Sequence, residues 1–270
     1  MWVLLMDDNW NFEGLTQDIL VKSDGSCCCG SSFPDTSKIE NPANPIDFAT
    51  PEFFKDFEVY LKQLGIIDLG YVKDIPDQFK DKFGFSSAIV ISYEISQAIH
   101  DVGAGSKAQE YNDDLYRDFG NLTYRISDYL RLRGFKTEII HPSDNSINFS
   151  MLAQDAGIGY IGKSRLFISP NMGPNLKIAA ILVNIKNLPE DKNSSYEWIS
   201  EYCNYCNSCV KACPQDCIIL DKQNNTVSFI DELCIGCTEG CTECIKACPF
   251  YKRGYGPILK KYEKIKDRKK

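Results

Sequence analysis

Ten of the thirteen cysteines in this chain of 270 residues fall between Cys203 and Cys248, and their spacing limits what that stretch can fold around. Cys203, Cys206, Cys209 and Cys213, followed by Pro214, spell C-x2-C-x2-C-x3-C-P. Cys241, Cys244 and Cys248, followed by Pro249, spell C-x2-C-x3-C-P, with Cys234 and Cys237 just ahead of them. Structural zinc prefers two separated C-x2-C pairs that close a tetrahedron, and longer runs of this kind argue against it. Disulfides need an oxidising compartment, and nothing upstream signals export.

The first run is the one that holds an iron-sulfur cubane in bacterial ferredoxins, where its fourth cysteine ligates the other cluster. Thiolates separated by two residues reach neighbouring irons of one small cube from a single turn of backbone. Two [4Fe-4S] clusters with exchanged ligands are therefore expected. Cys203, Cys206, Cys209 and Cys248 would hold the first; Cys213, Cys241, Cys244 and one of Cys234 or Cys237 would hold the second. Cys217 stands where a ferredoxin has alanine, and reads as a small buried apolar residue.

A chain this long can bury a sizeable core beyond the roughly sixty residues that such a module needs. Net charge is -7 and the pI is near 5.0, a balance that repels a nucleic-acid backbone. Only the stretch from Lys260 to Lys270 is basic, and it reads as a frayed, solvated helix end. The N-terminus turns acidic at Asp7, too soon for a signal peptide, and no apolar run reaches membrane-spanning length. A cytoplasmic, reducing setting is the expectation, with an anaerobic host suited to oxygen-labile clusters.

Hydrophobic periodicity orders the rest. Residues 23–47, rich in Ser, Gly, Asn and Pro, read as an irregular loop, and Cys27, Cys28 and Cys29 inside it read as incidental thiols. Phe53, Phe54, Phe57, Tyr60, Leu61 and Leu64 recur with helical period, as do Leu115, Phe119, Leu122, Ile126, Tyr129 and Leu130 up to Gly134. Strands are expected over 67–72, 87–92, 136–140, 165–169 and 176–185, the last buried on both faces, with a short helix over 149–156. Strands alternating with helices indicate an α+β protein: a sandwiched α/β, nitroreductase-like core before a two-cluster ferredoxin-like module. The expected division is 1–47 as an N-terminal segment and loop, 48–195 as the core, 196–255 as the module and 256–270 as a basic tail.

Residues 157–164 read Gly-Ile-Gly-Tyr-Ile-Gly-Lys-Ser, which matches both a P-loop and a dinucleotide fingerprint. Both motifs need a strand before and a helix after, so that phosphate meets the helix N-terminus. The order here is reversed. The glycines read instead as a tight turn that lets backbone approach something closely.

That turn, from Ala156 to Ser164, followed by Leu166, Ile168, Ser169, Pro170 and Gly173, resembles the AGLGWIGKN-x-L-x-IS segment of epoxyqueuosine reductases. Reductive dehalogenases share a looser version. The resemblance covers roughly residues 50–250 and implies a corrinoid, base-off cobalamin, between the clusters and the substrate. It makes Gly157, Gly159, Gly162 and Lys163 candidates for cofactor binding. It places the catalytic acid near Ser143, so that Asp144 is the candidate, with His141 and Tyr160 as other proton donors. It favours Cys234 over Cys237, because Ile230 to Leu233 resembles the family's approach to its single leading cysteine. Those enzymes continue into a tRNA-binding repeat domain; this chain reads as a short form whose substrate is a small molecule. Neither His100 nor His141 is needed for cobalt in the family, and each reads as a surface or hydrogen-bonded core residue.

Two functions follow. The first is a reductase that takes electrons from a ferredoxin or flavodoxin-type donor and reduces a small molecule. The second is an electron carrier that activates a partner corrinoid protein or metalloenzyme.

Overall fold

The computed structural model describes residues 36–143, 147–190, 195–236 and 238–268. Cys27, Cys28, Cys29, Asp144 and Cys237 lie outside them. Two apolar runs form the centre. β2 (Ser87–Glu94) and β6 (Leu176–Val183) pair antiparallel along their full length, from Ser87 opposite Val183 to Glu94 opposite Leu176. β1 (Leu69–Val72) pairs with β2 and β3 (Thr137–Ile140) with β6, so the sheet order is β1-β2-β6-β3, antiparallel throughout.

Side chains alternate between the faces of a strand, so a run that is apolar at every position must be covered twice. On one face Ile89, Ile91, Ile181 and Val183 meet α1 (Pro51–Gln63) and α4 (Ser106–Leu132), through Phe57, Leu61, Phe119, Ile126 and Leu130. On the other, Ala88, Val90, Ala180 and Leu182 meet α2 (Asp77–Phe83) and α5 (Phe149–Asp155), through Phe79, Leu152 and Ala153. The sandwich is therefore the expected one. The Thr50 hydroxyl accepts the Phe53 N–H and caps α1, with Pro51 at its first position.

The extended reading of 165–169 contracts to β5 (Phe167–Ile168), which pairs with β4 (Tyr160–Ile161) as a small hairpin. Two short helices, α2 and α3 (Gln97–Asp101), have no counterpart in the sequence reading.

The cysteine-rich part contains α6 (Trp198–Cys206), α7 (Ser208–Ala212), the β7–β8 hairpin (Ile218–Asp221 and Thr226–Phe229), α8 (Glu243–Ala247) and α9 (Pro249–Arg253). The basic end corrects the sequence reading. It belongs to α10 (Tyr255–Asp267), which buries Ile258 and Tyr262 against Ile199, Tyr202 and Phe250. Its apolar positions lie one turn apart on one face, and the lysines cover the other.

Two contacts dock this part onto the sheet core. Ile245 of α8 packs against Ile95, Ile99 and Leu115, and Ile168 of β5 joins the aromatic cluster around Phe250. At the junction Gly240 has φ +62, and a Cβ there would lie 2.5 Å from the Ala108 carbonyl carbon. Only glycine serves, because both the backbone conformation and the space exclude a side chain. No helix among the described residues is long and apolar enough to cross a membrane.

Candidate iron-sulfur centre

Cys203 and Cys206 lie one turn apart on α6, so their side chains share a face. The helix ends because Asn207 adopts a left-handed conformation, φ 49, which asparagine tolerates better than most residues. The reversal brings Cys209, on α7, back towards the same side. Cys248 arrives from the second run. The proline after it holds it in an extended conformation and starts α9.

These four thiols, from two stretches distant in sequence, line one cavity with Lys163, Ser164, Tyr202 and Phe250. Among the described residues no three His, Cys, Asp or Glu side chains converge closely enough to hold a single metal ion. The thiols border a space, which is what a cluster several ångströms across requires. Burial pushes the Cys203 thiol up to about 11, and the Lys163 backbone N–H opposes it. Burial likewise pushes Cys248 up to about 12, beside Cys203 and Cys206. Cys209 is raised by burial and partly relieved by the Ser164 hydroxyl. Thiols in such surroundings hold their protons until a cation compensates the thiolate, so metal loading releases protons here.

The second set forms beside the first. Cys241 is raised by burial, with Glu243, Cys234 and Cys213 as charged neighbours. Cys244 is pushed up to about 12 by burial, with Cys241 and Cys234 near it and Cys209 of the first set across from it. The two thiol sets are therefore near enough for Cys209 and Cys244 to sense each other's charge. Cys217, buried as expected at 3% exposed, makes one contact that was not foreseen: its Sγ lies 3.2 Å from that of Cys213. An isolated cysteine four residues after a ferredoxin run gives no spacing signal for such a contact.

The glycine segment divides into two parts. A Cβ on Gly159 would fall 2.3 Å from the Ile168 carbonyl oxygen, and one on Gly162 would fall 2.7 Å from the Ile168 side chain. The close approach is thus to the chain's own β5. Gly157 takes φ 66 just past the end of α5, the usual place for a helix-ending glycine. Lys163 and Ser164 do reach a site, but it is the thiol cavity, and the Lys163 Nζ donates to Asn225 Oδ1 at 2.9 Å. The missing side chains of Gly159 and Gly162 are thus accounted for by β5, and Lys163 is paired with Asn225.

Of the two histidines, one is a core residue and the other is half-buried. His100 is buried, with Nε2 2.6 Å from Asn175 Oδ1 and Nδ1 2.9 Å from Thr242 Oγ1. It thereby ties the loop before β6 to the turn between Cys241 and Cys244. His141 holds Ser143 through Nδ1 at 2.7 Å and lies against Gly120 of α4. Tyr160 packs at the edge of the aromatic cluster around Phe250.

Comparison with known proteins supplies the context. A family model described as a 4Fe-4S binding domain matches residues 196–219. A tetrachloroethene reductive dehalogenase of Desulfitobacterium hafniense is 25% identical over 188 residues, 68% of this chain and 33% of that protein. An epoxyqueuosine reductase of Listeria monocytogenes is 31% identical over 118 residues, 38% of this chain and 29% of that protein. A solved reductive dehalogenase, described as suggesting a mechanism for B12-dependent dehalogenation, shares the fold over 84% of this chain and 36% of its own, with TM-score 0.60 and 14% identity. The chain thus spans a third or less of the length of these curated relatives. The chain thus carries a 4Fe-4S binding domain, has reductive dehalogenases and epoxyqueuosine reductases as homologues, and shares its fold with solved structures of reductive dehalogenases.

Proposed function

We propose that the protein is a low-potential oxidoreductase holding two [4Fe-4S] clusters with crossed ligation. Cys203, Cys206, Cys209 and Cys248 hold the first, and Cys213, Cys234, Cys241 and Cys244 the second. One observation carries this reading: Cys248 shares a cavity with the three leading cysteines of the other run. Only a fold that crosses the two runs brings those thiols together. The clusters supply one-electron transfer; the chain excludes water with Tyr202, Phe250 and Ile168, holds the thiol sets adjacent, and places donors on their sulfurs.

The electrons come from a ferredoxin or flavodoxin-type donor and leave towards a small substrate, with cobalamin as the cofactor that would supply the reductive chemistry there. The likeness to B12-dependent dehalogenation supports the corrinoid. Gly159, Gly162 and Lys163 do not, because each is committed to contacts within the chain. Asp144 stays the candidate proton donor. The same observation favours the second reading, an electron carrier that activates a partner corrinoid protein or metalloenzyme, since the glycine turn needs no second cofactor to explain it.

Anaerobic purification from a host supplied with cobalamin, with iron, sulfide and cobalt analysis, separates these. About eight irons and about one cobalt per chain fit the reductase. About eight irons without cobalt fit the carrier, and zinc in place of iron would refute both.

A further inference from the structure

Cys217 is a thiol that the two cluster sets do not use, yet the fold holds it firmly beside one of them. Asp216 has φ 49, which folds the chain back after Cys213 and Pro214. The Cys217 carbonyl accepts the Ile230 N–H at 2.9 Å, pinning it to the base of the β7–β8 hairpin. With 3% of its surface exposed, its side chain has little freedom, and its sulfur lies 3.2 Å from that of Cys213.

Between two free thiols either sulfur could donate. Metal binding removes that ambiguity, because a coordinated cysteine has given up its proton and can only accept. Resting on the ligand reading above, we propose that Cys217 remains a thiol and donates an S–H hydrogen bond to the Cys213 thiolate, making the second cluster easier to reduce. Reduction adds negative charge to the cluster and its sulfurs. A donor aimed at a ligand sulfur stabilises the reduced form more than the oxidised one, and the potential rises. The backbone N–H groups of Gln215, Cys217 and Ile218 bond the same sulfur.

The test uses the full chain, purified anaerobically, as wild type, Cys217→Ala, Cys217→Ser and Cys213→Ser. Iron is counted, and the cluster midpoint potentials are read by redox titration with electron paramagnetic resonance. Cys217→Ala should keep all the iron while one midpoint moves to a more negative value and the other stays. Cys217→Ser, which keeps a hydroxyl donor, should lie close to wild type. Unmoved midpoints in Cys217→Ala overturn the inference, and so does loss of iron from it, which would make Cys217 a ligand. Cys213→Ser should lose half the iron; full retention would sink the ligand reading, and the inference with it.

Discussion

The sheet core and the cysteine module bury their chains by different means. In the core, β2 and β6 present apolar side chains to both faces, and Phe57, Phe119, Ile181 and Leu182 are inaccessible to solvent. In the module, α7 buries no residue, β7 and β8 are half exposed, and the cysteines of the two sets are only partly covered. Its apolar material gathers at one end, around Phe250, Tyr202 and Tyr262. The core is held by the removal of hydrocarbon from water, and the module by what its thiols coordinate. A fold of the first kind survives the loss of any single group at a cost. One of the second kind depends on its cofactor.

Stripping iron with an anaerobic chelator is the largest perturbation that separates the two. Amide exchange should become fast through residues 196–250, while β2 and β6 remain protected. Loss of protection in the sheet at the same chelator concentration would show one cooperative unit. The converse substitution, Phe119→Ala, should cost about 3–5 kcal/mol in urea titrations. Iron content should be unchanged at low temperature, and iron loss in proportion to the destabilisation would erase the distinction.

The smallest effect should come from the module surface. Arg165 and Asp231 pair at 3.2 Å but both are largely exposed, so Asp231→Asn should change stability by less than about 1 kcal/mol.

The same contrast explains what could be read beforehand. β2, β6, α1 and α4 are long apolar or amphipathic runs, and their period states their burial directly. α2 and α3 are only seven and five residues long, too short for a periodicity to announce them. The cysteine spacing points to the two runs and their crossing. It is silent on Cys217, because a backbone reversal at Asp216 rather than a repeat brings that sulfur to Cys213. It is equally silent on the partner of the glycine turn. Gly159 needs the absence of a side chain, but sequence cannot say whether ligand or β5 fills the space. The bridge from His100 to Thr242 joins residues 142 positions apart and has no local signature at all.

The crossing of the two runs is the claim on which the rest depends, and iron counting in one double substitution tests it most directly. Cys203→Ser and Cys248→Ser should each remove the same cluster, so the double variant should keep about four irons, like either single variant. A double variant that loses all its iron, when each single variant keeps about half, would place the two cysteines on different clusters and contradict the account.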